Sequence, residues 1–199
     1  MTIDDGEFTE ECTNFPYTVV VKDATDDVQW TADITATRDG SSSSVTGMST
    51  DFGSGTFGDA LLVCSGDGAG VWSATVRVRF SDTTDTTKVY NRSFTLDFTV
   101  SKAVSETTIT RVKVASGETK VKGTVLTMTG LSDPTMFGDV TIKVKKSGGS
   151  WKNKGTTQVD ADGNFKLAIG TEYAAGTKVK AVFAGTDEAK SSTSAVWTI

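Results

Sequence analysis

Cys12 and Cys64 are the two cysteines of this 199-residue sequence, and 52 positions separate them. Redox CxxC motifs and zinc knuckles need closely spaced pairs, so this spacing fits neither. We expect one structural disulfide, which would persist only in oxidising surroundings and so predicts an exported protein. The alternative is a pair of buried free thiols in a cytosolic or virion protein.

Histidine is absent from the whole sequence. Without an imidazole there is no Ser-His-Asp or Cys-His nucleophile and no histidine metal site. Two carboxylates can hydrolyse a glycoside, but they must share a cleft, and short strands joined by small loops offer none. We therefore expect a protein that is not an enzyme and that binds no cofactor.

Clustered carboxylates are the remaining candidates for a metal site. The run from Asp160 to Gly163 resembles part of a calcium loop, but Asn164 and the missing glutamate break the EF-hand pattern, so a turn is the better interpretation. Better calcium candidates are two acidic groups in turn-like segments: Asp4, Asp5, Glu7, Glu10 and Glu11, and Asp23, Asp26 and Asp27. We interpret them as solvated charge, assign no metal site, and leave calcium binding open.

The tryptophans divide into two pairs. Trp30 and Trp197 occur on apolar faces and are expected in the core, whereas Trp72 and Trp151 follow glycine-rich turns. Exposed aromatic rings can stack on sugars or meet a protein partner. Trp72 and Trp151 are therefore candidate surface-binding residues, and packing in the core or at a strand edge is the alternative interpretation.

Charge differs between the two halves of the chain. Residues 1–101 contain 16 acidic and 6 basic residues, whereas residues 102–199 contain 9 acidic and 14 basic residues. Lys143, Lys145, Lys166 and Lys178 fall on outward strand positions and are candidate contacts for an anionic polymer. Ordinary solvated strand faces, or attraction between the two oppositely charged halves, are the alternative interpretations. Nucleic acid is not expected, because the sequence pI is about 4.8 and the aromatic platform of single-strand binders is missing.

Strand patterns run from end to end. In residues 28–37 apolar and polar side chains alternate, and residues 74–80 and 93–100 repeat the pattern. Residues 101–106 lose it, which suits a linker, and a second set of strands follows. No window reaches the roughly 18 apolar residues of a membrane span. We expect an all-β chain of two tandem Ig-like antiparallel β-sandwich domains, residues 1–101 with the disulfide and residues 105–199.

The second half carries an ordered series of turn and strand signals. These are Val-Thr-Ile-Lys-Val-Lys-Lys from Val140, Gly-Gly-Ser-Trp151, Thr157-Gln-Val-Asp-Ala-Asp-Gly-Asn-Phe165, and Ala175-Gly-Thr-Lys-Val-Lys-Ala-Val-Phe-Ala-Gly185. The series resembles the bacterial Ig-like repeats of secreted and surface proteins over most of residues 107–199. Ala189 and Lys190 depart from that pattern, where the resemblance leads us to expect an aromatic residue or proline.

This resemblance implies a structural or adhesive module, a stalk or a binding region, at the cell surface or outside the cell. Its partner would be an extracellular protein or a cell-wall polysaccharide. Two alternatives stay open. A bacteriophage tail or decoration protein would also be Ig-like, and a carbohydrate-binding module would need Trp72 or Trp151 exposed on a flat or grooved face.

Overall fold

The computed structural model describes residues 1–9, 12–115, 117–127, 137–170 and 172–199, and these form an all-β chain. The strands before residue 102 are β1 Thr2–Ile3, β2 Gly6–Glu7, β3 Cys12–Val21, β4 Val28–Arg38, β5 Ser44–Phe52, β6 Gly55–Cys64, β7 Gly70–Asp82 and β8 Val89–Ser101. Those after it are β9 Ser105–Ala115, β10 Glu118–Thr127, β11 Asp139–Lys145, β12 Lys152–Gln158, β13 Asn164–Ala168, β14 Lys178–Phe183, β15 Ser192–Thr193 and β16 Trp197–Thr198. A 3₁₀ turn at Ser65–Asp67 is the one helical element of the described residues.

Backbone contacts divide the chain into two compact units. The first comprises Met1–Phe8 and Cys12–Ser101, and the second contains Lys102–Ile199. The second unit begins earlier than the predicted position 105, because Ala103 is buried and bridges Ala189. The Nζ of Lys102 also donates a hydrogen bond to the carbonyl of Thr186, at 2.6 Å. Residues 102 and 103 are therefore packed into this unit.

The first unit is built from two sheets, in the orders β1-β3-β6 and β2-β8-β7-β4-β5. Neighbouring strands are antiparallel except β2 and β8, which are parallel over two residues. The alternation predicted for residues 28–37 is confirmed, because Trp30, Ala32, Ile34 and Ala36 are buried on one side of β4. Large side chains of both sheets fill the core, and burying each stabilises the fold by roughly 1.5–3 kcal/mol: they include Phe8, Phe15, Tyr17, Trp30, Ile34, Leu61, Trp72 and Phe98.

The predicted disulfide is confirmed. Cys12 and Cys64 lie directly opposite one another in the antiparallel pair of β3 and β6, and their sulfurs are bonded. The bond joins the start of one strand to the end of its neighbour. The disulfide therefore joins β3 to β6 at one end of their ladder and links two residues that are 52 positions apart in the sequence.

The last strand of this unit departs from its predicted burial. Phe94, Leu96, Phe98 and Val100 alternate with polar residues, yet only Phe98 and Val100 are buried, and Phe94 is 38% exposed. The smaller sheet lies over the C-terminal end of β8, where Phe15 contacts Phe98. Residues 89–95 of the strand are exposed on both faces. Alternation predicted the strand but not how far the opposite sheet reaches.

The second unit also contains two sheets, in the orders β13-β10-β9 and β12-β11-β14-β15, with β16 also paired to β14. Its core is a cluster of buried aliphatic and aromatic residues that includes Val121, Val140, Ile142, Phe165, Val179 and Phe183. The β9–β10 register shifts between Lys122 and Gly123. Glycine is required at this bulge, because a Cβ there would lie 2.1 Å from the carbonyl oxygen of Thr108. The structure shows, within its described residues, no helix long and apolar enough to span a membrane.

Candidate functional site

Trp72 is a core residue, so its prediction as a surface-binding residue is wrong. Its side chain is fully buried, and its ring stacks on Phe98 with the centroids 6.2 Å apart. The indole N–H donates to the carbonyl of Gly68 at 3.3 Å. The glycines before Trp72 form the turn that starts β7, but Trp72 itself has the inward parity of that strand, together with Ala74 and Val76.

Trp151 lies partly exposed just before β12, and a lysine occupies one face of its ring. The Nζ of Lys180 is 4.8 Å from the ring centroid, within range of a cation–π contact. Trp197, expected in the core, is instead 37% exposed, because it lies on β16, a two-residue strand at the edge of the sheet. Trp151 therefore presents its ring together with the positive charge of Lys180.

Three of the four predicted lysines belong to the surface around Trp151. Lys143 and Lys145 point outward from β11, and Lys178 points outward from β14. Their buried neighbours Val144 and Val179 fill the core, which fixes the lysines on the opposite face. We call Lys143, Lys145, Lys178 and Lys180 the β14 face.

Lys166 lies in the other sheet, so the structure does not bring all four predicted lysines together. It projects from β13 beside Lys122 of β10, in a cluster that lines a surface depression of 210 Å³. We call this cluster the β10 face, and its members are Arg111, Lys113, Lys120, Lys122 and Lys166. Outward parity marks each residue in the sequence, but no local signal shows that β9, β10 and β13 are neighbours.

Both faces place like charges directly opposite each other. On the β10 face Lys120 faces Lys113, and Lys122 faces both Arg111 and Lys166. On the β14 face Lys143 faces Lys180, and Lys145 faces Lys178. Directly opposed like charges destabilise an antiparallel pair. In the described part of the chain, the one salt bridge to any of these residues joins Lys120 to Glu118 at 2.9 Å.

Carboxylates of the acidic segments accept hydrogen bonds from backbone N–H groups. The Oδ1 of Asp160 accepts hydrogen bonds from the backbone N–H groups of Asp162 and Asn164, and Gly163 has a φ of 76°, so this segment forms a turn. Asp5 accepts a hydrogen bond from the N–H of Thr99 at 2.6 Å. Among the residues that are described, no three acidic or cysteine side chains converge as metal ligands. Glu10 and Glu11 lie outside the described residues.

The most ordered acidic groups join β7 to β8. Asp82 accepts hydrogen bonds from the hydroxyl and N–H of Thr84 and from the N–H of Asp85, and these bonds lower its pKa. The hydroxyl and N–H of Thr87 and the Lys88 ammonium lower the pKa of Asp85 in the same way. Lys88 lies 3.6 Å from Asp82 and 3.4 Å from Asp85. These carboxylates stabilise the turn between β7 and β8.

The fold of this chain resembles that of solved protein structures. No protein-family model matches the sequence, and no curated protein is similar to it. A tetra-tandem repeat in the extending region of a large adhesion protein matches 94% of this chain at 19% identity, with a TM-score of 0.52. This likeness shows a shared all-β fold. The chain spans 45% of the length of that structure.

Two other solved structures match more loosely. Red sea bream transglutaminase matches the full chain at 12% identity and a TM-score of 0.43, over 30% of its own length. The alpha chain of the chicken interferon gamma receptor matches the full chain at 10% identity and a TM-score of 0.39, over 94% of its own length.

Proposed function

We propose that the chain is a non-enzymatic structural and adhesive module of a bacterial secreted or surface protein, and that its second unit adheres to anionic cell-wall polymers. The observation that carries this proposal is the set of directly opposed cations on the β10 and β14 faces. Each opposed pair destabilises the isolated sheet. A polyanion lying across the strands would neutralise the pairs and turn that repulsion into attraction.

The disulfide and the fold support an extracellular location. A Cys12–Cys64 bond would not persist in a reducing cytoplasm, which argues against a virion protein assembled there. The adhesion-protein repeat is consistent with such a module through its fold. The two units would then be tandem Ig-like domains, residues 1–101 and the remainder from residue 102.

A carbohydrate-binding module that works by ring stacking is less well supported. Trp72 is buried, and Lys180 covers one face of Trp151. Trp151 and its lysine present a cation beside an aromatic ring, an arrangement that suits an acidic polymer better than a neutral sugar. We therefore assign Trp151 to the β14 face as a flanking contact.

The test is retention of the intact chain on purified Gram-positive cell walls across a salt series. Two variants neutralise one face each. The first changes the five β10-face residues to glutamine, and the second changes Lys143, Lys145, Lys178 and Lys180 to glutamine. A smaller control changes Arg77 and Arg79 to glutamine, which removes two outward cations from the first unit.

We expect retention that weakens as ionic strength passes about 0.1 M, where the screening length is about 10 Å. Neutralising the β10 face or the β14 face should reduce retention several-fold, while the arginine control should bind as the parent does. Walls stripped of anionic polymer should retain none of the proteins. Equal retention of all variants, or tighter binding to nucleic acid than to walls, would overturn the assignment.

A further inference from the structure

One edge of the larger sheet in the first unit is uncovered along most of β8. The N–H of Asp82 bonds to the carbonyl of Lys88 on the β7 side, and alternation then directs the backbone groups of even-numbered β8 residues toward β7. Odd-numbered residues direct theirs to the free edge. β2 pairs there only with Val100 and Ser101, and Asp5 caps the N–H of Thr99. Residues 89–97 have no strand beside them in the described chain.

The chain segment that could cover this edge pairs elsewhere. Thr2 and Ile3 precede β2, but they form β1 and pair with Thr18 and Tyr17 of β3 in the other sheet. The result is a groove of 440 Å³ between β8 and the end of β3. Its apolar lining includes Val20, Phe80 and Phe94, and Lys22 and Arg92 also line it.

Three exposed apolar side chains lie on β8, and Val20 of β3 is exposed beside the groove. Tyr90 is 52% exposed, Val20 47%, Val89 41% and Phe94 38%. A long edge strand with exposed apolar side chains is a template for pairing with another strand. Backbone hydrogen bonds supply affinity in such strand addition, and the pockets beside the strand supply specificity.

We propose that this edge pairs with the same edge of a second copy of the chain, antiparallel and centred on Ser93. Ser93 is the midpoint of residues 89–97 and has the parity that directs its backbone groups outward. Centring there places Asn91 opposite Thr95 and Val89 opposite Asp97, so the whole free stretch is used. The two larger sheets would then join into one continuous sheet through a two-fold, self-complementary contact.

The side chains of β8 suit this register. On the inner face Arg92 lies opposite Phe94 of the second copy, and Tyr90 lies opposite Leu96. Arg92 already contacts an aromatic ring in the single chain, 5.1 Å from the centroid of Tyr90. Each Arg92 would gain a second ring, and no like charges face each other across the axis. The inward side chains of each copy would extend the apolar wall of the other copy's groove.

The first unit has ten more acidic than basic residues, so two copies repel one another over longer distances. Added salt screens that repulsion. Added salt should therefore lower the dissociation constant of the dimer, whereas it should weaken the binding of the β10 and β14 faces to a polyanion. The two proposals thus respond to salt in opposite directions and can fail independently.

The experiment is sedimentation equilibrium of the full chain at concentrations up to about 1 mM, because a contact through one strand edge is expected to be weak. Ser93→Pro removes the central outward N–H without removing a bond to β7. The matched control is Thr46→Pro on β5, at the opposite edge of the same sheet. The bond from Gly53 N–H to the Val28 carbonyl fixes the parity of β5, so the N–H of Thr46 also faces away from its neighbour.

We expect a monomer–dimer equilibrium whose dissociation constant rises about tenfold or more in Ser93→Pro and is unchanged in Thr46→Pro. Phe94→Arg, which opposes two arginines across the axis, should weaken the dimer similarly without adding a proline. Circular dichroism melting of each variant shows that it is folded. A monomer at all concentrations would overturn the proposal and leave the edge for a strand of another protein. A dimer that only Thr46→Pro disrupts would overturn it in favour of the β5 edge.

Discussion

Cys12 and Cys64 are directly paired at the start of β3 and the end of β6, so the disulfide closes its loop at one end of a two-strand ladder. A cross-link over 52 residues restricts the unfolded chain, which in the chain-entropy model corresponds to about 4 kcal/mol. Changing both cysteines to serine should lower the free energy of unfolding by that amount. Guanidinium denaturation measures it. Reductant should destabilise the parent chain equally and leave the double variant unchanged; a variant as stable as the oxidised parent would refute this role.

Trp72 and Trp151 should respond differently to truncation. Trp72→Ala removes a fully buried ring and its contact with Phe98, and we expect a loss of about 3–5 kcal/mol of stability. Trp151→Ala removes a partly exposed ring and should cost much less. Denaturant unfolding followed by circular dichroism compares the two variants. Similar losses would contradict the assignment of Trp72 to the core and Trp151 to the surface.

Acid should loosen the turn between β7 and β8 before the rest of the first unit. The folded-state pKa values of Asp82 and Asp85 are depressed, so the stability they contribute is present above the ordinary aspartate pKa. It is lost as pH falls from about 4 through the lower folded values. Backbone chemical shifts of residues 82–88 should move toward random-coil values in that range. Asp82→Asn should show the looser turn already at neutral pH, and a turn unaffected by either change would contradict this interpretation.

The sequence predicted the strands well because alternation is a local property. The pattern of Trp30, Ala32 and Ile34 reports directly which side of β4 is buried. It could not show that Phe94 would be left outside the core, because burial there depends on where β1 and β3 end in the other sheet. Trp72 was misassigned because the preceding glycines suggested a turn, although the parity of its strand points inward.

The basic surface shows the same limit. Lys122 and Lys166 are each recognisable as outward residues, but only the β10–β13 register makes them neighbours. Lys143 and Lys166 look alike in sequence and lie in different sheets. Long-range pairing therefore decides which residues form a surface, and single-strand patterns do not report it.

We propose that a polyanion lies on the opposed cations of the second unit. The most direct measurement is an NMR titration of the intact chain with a soluble wall teichoic acid at low and high salt, following backbone amides residue by residue. If the polyanion binds there, shifts at low salt concentrate on β9, β10 and β13, or on β11, β14 and Trp151, and disappear at high salt. Shifts confined to the first unit, or shifts that persist at high salt, would contradict it.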